Sequence, residues 1–382
     1  VKKIFSLLTL AAIMAAGVSL TGCSNSGSSS DVIKIGVFEP LTGANGAGGA
    51  DEHDGIKLAN KLFPTVLGKK VQLVVVDNKS DKVEAANAAT VLAQKEKVNA
   101  VIGSWGSSLS MSGGPIFAEA KIPAVAVSAT NPNVTKGNDY YFRVCFLDPF
   151  QGVVGATYAA KTLNAKKVAI IREVSNDYSV GLAKFFADEF VKLTGDQKSI
   201  VATADYNTGD QDFTAQLTNI KQFEPDVIFA PGNYTESALI IKQARALGMK
   251  AQFIGGDTWD VTSFLEVGGA AVEGAVFSTF FANDVPINKT SEAFLKSFRE
   301  EYKKEPAAVS ALGYDAYLVI LEAIKRTNSA EPQKIRDALT QTKDFEGSAG
   351  SITINAERNA DKAAVFKTVK DGKFVFLTTV KP

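Results

Sequence analysis

From Val32 onward, short runs of β-branched residues alternate with longer stretches whose apolar positions recur at helical spacing. Val32–Phe38, Val71–Val76, Val98–Ile102 and Ile122–Val127 read as strands, with amphipathic helices predicted around 52–62, 83–96 and 108–120. Parallel strands need crossover segments of helix length, so this alternation predicts a parallel sheet with helices on both faces. The rhythm then restarts. Lys167–Ile171, Ile200–Ala204, Asp226–Ala230 and Ala251–Ile254 read as strands, and segments around 179–194, 212–222 and 235–247 as helices.

The two halves match in detail. Asn99 to Gly103 leads into Ser104-Trp105-Gly106-Ser107-Ser108, a helix and a strand ending Ser128-Ala129-Thr130. Asp226 to Gly232 leads into Asn233-Tyr234-Thr235, a helix and a strand ending Gly256-Asp257-Thr258-Trp259. Each unit puts hydroxyls, aromatics or an acid past the carboxyl ends of parallel strands, where open α/β sheets bind ligands. Two such lobes facing each other form a cleft.

After Gly274 the pattern changes to a strand-like run, Ala275–Phe281, then helices near 290–303, 307–325 and 331–340, then short strands near 350–354, 364–369 and 374–377. The late helices must cover a sheet, and the first lobe is the one still short of them. The expected fold is therefore α/β, with two doubly wound Rossmann-like lobes joined by a three-crossing hinge. Residues 32–147 and 281–347 form lobe one; residues 148–280 and 348–382 form lobe two.

The first residues bear on the compartment. Lys2 and Lys3 precede an apolar run from Ile4 to Leu20, then Leu20-Thr21-Gly22-Cys23 and a Ser/Gly/Asn stretch. A basic n-region, short apolar h-region and small residues before a cut describe a signal peptide over residues 1–22. The run is short for a spanning anchor. Cys23 stands where a bacterial lipobox places its lipidated thiol, and residues 23–31 have the composition of a flexible tether. The expected location is outside the cytoplasm, lipid-anchored at Cys23.

The chain carries 41 basic and 41 acidic residues, and losing Lys2 and Lys3 with the leader leaves 39 against 41. That balance gives no electrostatic footprint for nucleic acid. With Cys23 lipidated, Cys145 is the remaining cysteine, so no disulfide framework or thiolate metal site is expected. The single histidine, His53, is expected to be an exposed polar position at a helix start. One histidine completes neither a hydrolase triad nor a zinc site. The glycine-rich segment Gly43 to Gly49 lacks a full GxGxxG and reads as a flexible cleft rim rather than a dinucleotide site. Asp257 is expected to be the only acid in a cleft-facing strand-end loop. No catalytic residues, metal or cofactor are expected, and the chain reads as a binder, not an enzyme.

The cleft loops suit a zwitterion. Ser107 and Ser108 open a helix whose N-terminus attracts a carboxylate, and Thr130 adds a hydroxyl and an N–H. Asp257 is placed to meet an ammonium. Trp105, Tyr178, Tyr234 and Trp259 can wall an apolar side-chain pocket.

Several motifs carry a resemblance: the lipobox, Glu39-Pro40-Leu41-Thr42-Gly43, Ser128-Ala129-Thr130-Asn131-Pro132, Phe142-Arg143 with Asp148 and Gln151, Asp177-Tyr178, and Gly255-Gly256-Asp257. In order and spacing they resemble the branched-chain amino acid binding proteins of ABC importers, which have a periplasmic-binding-protein-like fold. The resemblance covers essentially the whole mature chain. It implies that Ser107, Ser128, Ala129 and Thr130 hold the amino acid backbone from lobe one. Tyr178 and Tyr234 would close from lobe two, Asp257 would pair with the ammonium, and Trp105 would line the side-chain pocket. The implied protein is a monomer that delivers a branched-chain or other apolar amino acid to a membrane permease; the alternative is a ligand-sensing receptor subunit without a transport role. Two positions depart from the pattern: the family often has glutamate at Asp257 and an aromatic residue at Gly48.

Overall fold

The computed structural model describes residues 32–382. The expected leader, tether and lipidated Cys23 lie outside the described residues. In chain order the first half runs β1 (Val32–Glu39), α1 (Gly46–Leu62), β2 (Thr65–Val66), β3 (Lys69–Asp77), α2 (Lys82–Thr90), β4 (Ala100–Ile102), α3 (Ser107–Glu119), β5 (Ala124–Ala126) and β6 (Tyr141–Arg143). The second runs α4 (Asp148–Thr157), β7 (Val168–Glu173), α5 (Asp177–Thr194), β8 (Ile200–Tyr206), α6 (Thr214–Lys221), β9 (Val227–Phe229), α7 (Tyr234–Ala246), β10 (Gln252–Gly255), α8 (Thr262–Gly268) and β11 (Val276–Thr279). The rest is α9 (Lys289–Tyr302), α10 (Ala308–Thr327), α11 (Pro332–Leu339), β12 (Phe345–Gly347), β13 (Gly350–Ile352), β14 (Ala364–Lys370) and β15 (Lys373–Val380).

Two sheets result, with a small β12–β13 ribbon beside them. The first has the order β2-β3-β1-β4-β5-β6, and the second β15-β14-β11-β10-β9-β7-β8. Without their antiparallel edge strands, both are parallel and wound alike: β3-β1-β4-β5-β6 and β8-β7-β9-β10-β11. The strand order reverses beside β1 in one and β7 in the other. The loops after β1 and β4, and those after β7 and β9, therefore splay apart at a crevice, which positions a ligand.

The chain passes between the sheets after β6, after β11 and between β13 and β14. The late helices cover the first sheet: α10 packs on α1 and β4, with α9 and α11 beside it. Glycine permits the closest contact. A Cβ on Gly55 would fall 1.9 Å from the Ser310 carbonyl oxygen, and one on Gly313 2.4 Å from that of Glu52.

Two segments differ from expectation. Helix α1 begins at Gly46, so the glycine-rich segment is its first turn rather than a flexible rim. A Cβ on Gly49 would sit 2.1 Å from the Pro40 carbonyl oxygen, so glycine serves close approach there. Helix α4 was not predicted because Gly152 and Gly155 dilute its helical signal. Gly152 instead lets α4 meet α5, its Cβ position lying 2.6 Å from that of Phe185.

The α1–α10 contact is testable. Gly55→Ala forces the two helix backbones apart and is expected to cost about 1–3 kcal/mol of stability. A urea-melt midpoint equal to that of the unsubstituted protein would refute this account of the packing.

Candidate functional site

Four helix N-termini meet at the crevice. Helices α1 and α3 start from the loops after β1 and β4; α5 and α7 start from those after β7 and β9. Gly106, with φ +90°, makes the turn into α3 and sets Ser107 and Ser108 in its first turn. The converging N–H groups favour an anionic ligand group.

Between the lobes lies a small cavity lined by Trp105, Gly106, Ser107 and Ser128 on one side, and by Asn176, Tyr178, Asn233, Asp257 and Thr258 on the other. Of the residues expected to bind, Trp105, Ser107, Ser128, Tyr178 and Asp257 share this cavity. Ala129 is buried next to it, its carbonyl taken by Arg143 Nη1 at 2.6 Å. Thr130 Oγ1 is buried beside the Asp148 carboxyl, with no partner of hydrogen-bonding geometry among the described residues. Tyr234 stands behind Trp105, with ring centroids 6.0 Å apart and planes at 70°. Trp259 belongs to the core, stacked on Phe264 and fully buried.

The hydroxyls differ in polarity. Ser107 Oγ accepts from Asn131 N at 3.1 Å, so its own proton is free to donate. Ser128 Oγ donates to Glu52, so toward the cavity it can only accept. Asp257 Oδ1 accepts from Gln151 Nε2 at 2.8 Å and from the Tyr178 hydroxyl at 2.9 Å, leaving Oδ2 for a cation. Burial raises the Asp257 carboxyl to about 6, against the opposing effect of these two bonds. The cavity thus offers a donor at Ser107 and acceptors at Asp257 and Ser128, as a zwitterion requires.

Asp257 is not the only strand-end acid. Glu39 ends β1 and accepts from Trp105 N at 2.6 Å; Glu173 ends β7 and accepts from Asn176 Nδ2 at 3.1 Å. Glu52 on α1 is fully buried beside Glu39. Burial raises both carboxyls, and their mutual proximity raises Glu52 further, so together they hold a proton. A helical signal for Glu52 was present in the sequence: Gly48, Glu52, Gly55, Ile56 and Ala59 form a single buried stripe on α1. His53, expected to be exposed, is half-buried with its Nε2 unpartnered, and burial lowers it to about 4. The Cys145 thiol is pushed up to about 12 by burial, which makes it inert.

Around the cavity the lobes touch directly. Ser108 Oγ donates to Asp177 Oδ2 at 2.7 Å and accepts from Asp177 N at 3.0 Å. Lys82 Nζ reaches the same carboxylate oxygen at 3.1 Å, and Asn131 Nδ2 donates to the Asp177 carbonyl at 2.9 Å. Asn233 Nδ2 donates to Asn45 Oδ1 at 3.0 Å, and the Tyr234 hydroxyl to the Ala44 carbonyl at 3.0 Å.

The buried acids set a pH dependence of stability. Asp148, raised by burial from 3.8 to about 8, binds its proton more tightly in the folded state. Its effect on stability is fully favourable below the unfolded value and is lost as pH rises toward 8; Glu39 and Glu52 act in the same direction. His53 opposes this weakly: lowered to about 4 in the fold, it is half protonated in the unfolded chain at pH 6.5, which costs roughly 0.4 kcal/mol there and almost nothing at pH 8. Without added ligand, the urea midpoint is expected to be higher at about pH 6.5 than at pH 8, with Asp148→Asn reducing the difference. An unchanged slope in Asp148→Asn would remove Asp148 from this account.

Residues 32–373 match the family described as periplasmic binding protein. The chain is 43% identical to the crystal structure of a leucine binding protein from Thermotoga maritima, covering 92% of this chain and 99% of that one, with a TM-score of 0.89. A branched-chain amino acid transporter substrate binding protein from Streptococcus pneumoniae, solved with isoleucine, is 34% identical over 92% of this chain and 100% of that one, with a TM-score of 0.86. A Leu/Ile/Val-binding protein homolog from Brucella suis is 29% identical over 98% of this chain and 99% of its own length.

Proposed function

We infer, because the chain belongs to the periplasmic binding protein family, that it is the branched-chain amino acid binding component of an ABC importer. The observation that carries this reading is one cavity that holds donors, at Ser107 and the N-terminus of α3, together with acceptors, at Asp257 and Ser128. Ser107, the N-terminus of α3 and Thr130 receive the α-carboxylate. Asp257 and the acceptor side of Ser128 receive the α-ammonium. Each charged hydrogen bond contributes roughly 1.5–3 kcal/mol net, so a few suffice for micromolar binding. The likeness to a leucine binding protein and to one solved with isoleucine supports an aliphatic side chain.

In this reading, residues 32–147 with 281–347 form one lobe and residues 148–280 with 348–382 the other. Ligand bridges them and favours the closed form. The monomeric protein is held outside the cytoplasm by a lipid on Cys23 after removal of residues 1–22, and it delivers its ligand to a permease. Among the described residues no helix is long and apolar enough to cross a membrane. Cys23→Ser is expected to move the protein from the membrane fraction to the soluble fraction of cells that express it. Unchanged membrane association would refute the anchor.

A thermal-shift screen of the twenty amino acids tests the ligand class, because a ligand that binds only the native state raises the melting temperature. Leucine, isoleucine or valine should give the largest shift; no shift with any amino acid would overturn the reading. Asp257→Ala should lose roughly 3–5 kcal/mol of binding by calorimetry, because the ammonium would be buried unpaired. Binding also requires the charged form of Asp257, which titrates near 6. Affinity should hold above that pH and fall by up to about tenfold per unit below it; an affinity flat down to about pH 5 would remove Asp257 from the ammonium.

A further inference from the structure

We propose that Arg143 positions the ligand's α-carboxylate from behind the cavity wall, its buried guanidinium polarising the peptide group between Ala129 and Thr130. This rests on the amino acid reading above, in which Thr130 receives the carboxylate, and deepens it.

Arg143 ends β6 and is fully buried. Its side-chain hydrogen bonds all go to neutral oxygens. Nη1 donates to the Ala129 carbonyl at 2.6 Å, and Nη2 to the Asn131 carbonyl at 2.9 Å and to Thr135 Oγ1 at 3.2 Å. Nε donates to Asn359 Oδ1 at 2.7 Å, on the segment between β13 and β14. A guanidinium keeps its charge in proteins, and a buried charge without an ionised partner is strongly disfavoured. The acids whose fields act most on Arg143 are Cys145, Asp148 and Tyr141. Burial raises Cys145 to about 12 and Asp148 to about 8, and raises Tyr141 above its ordinary value. All three are therefore largely neutral at about pH 7. A positive charge with no ionised group bonded to it thus lies directly behind the loop that carries Thr130.

The loop is otherwise spoken for. The Thr130 carbonyl accepts from Asp148 N at 3.1 Å, and Asn131 N donates to Ser107 Oγ at 3.1 Å. With both carbonyls that flank Thr130 taken by Arg143, its own N–H is the backbone group of this stretch for which the described residues show no partner. That N–H and the Ala129 carbonyl are two ends of one amide. A cation on the oxygen withdraws electron density from the nitrogen, so the N–H becomes a stronger donor. An anion at the N–H then meets the amide dipole and the guanidinium in line. One peptide group and two hydrogen bonds separate the charges by roughly 7 Å. At an effective dielectric constant of about 20, their attraction corresponds to roughly fiftyfold in affinity. A purely structural role, in which the guanidinium only staples the loop to Asn359, would instead affect every ligand of the cleft alike.

The test is calorimetry on the full protein at about pH 7 with leucine and with leucinamide, in which a neutral amide replaces the carboxylate. Arg143→Gln is expected to weaken leucine binding by roughly 10–100-fold, and leucinamide binding by less than about threefold. The advantage of leucine over leucinamide therefore shrinks. Arg143→Lys restores a cation without the two-pronged guanidinium and should return leucine binding to within about fivefold of the unsubstituted protein. Should Arg143→Gln fail to fold, Arg143→Met supplies an uncharged side chain for the same comparison. Equal weakening of both ligands by the uncharged variant would overturn the proposal, as would an Arg143→Lys protein that binds leucine no better than Arg143→Gln. These failures leave leucine binding by the unsubstituted protein intact. Its absence would instead refute the parent reading, and this proposal with it.

Discussion

Two carboxyl groups buried side by side cannot both stay charged, and much of the cleft depends on how Glu39 and Glu52 resolve that constraint. They share a proton, and each spends an oxygen on the wall of the cavity: Glu39 on the Trp105 amide and Glu52 on the Ser128 hydroxyl. The first bond helps to hold the indole. The second turns Ser128 into an acceptor on its open side. The negative field of this pair reaches Asp257 across the cleft, so an ammonium group enters a region already prepared for positive charge. A hydrophobic replacement would pack as well there but would leave an amide and a hydroxyl unsatisfied.

The duplicated winding explains why the site lies between sheets rather than within one. A doubly wound sheet has one place where neighbouring loops part, and here two such places face each other. Each sheet brings its own helix N-termini and strand-end acids. Donors therefore dominate where α3 begins, and acceptors where β10 ends.

Most of this architecture was legible because parallel strands and their crossover helices leave strong periodic signals. The repeat around Ser107 and Asp257 was legible for the same reason, and it pointed to the strand-end loops that form the cavity. What was hidden depends on packing between distant segments. Glu52 reads as one charge among Asp51, His53 and Asp54 until α10 and Ser128 cover it. Gly152 and Gly155 weaken a helical pattern that exists because α5 needs the room. Trp259 sits in a strand-end loop like Trp105, yet its ring turns into the core against Gly255 and Phe264; local sequence does not distinguish the two.

The contacts of Asp177 with Ser108, Lys82 and Asn131 lie at the rim, and Asp177 is absent from the cavity wall. In the proposed closing motion they would favour the closed form regardless of what is bound. Because apparent affinity scales with the fraction of molecules already competent to bind, this rim works as a gain control separate from recognition. Substitutions there can retune the concentration range over which the protein responds while leaving its choice of ligand unchanged, so a lineage can adapt to richer or poorer surroundings without rebuilding the pocket.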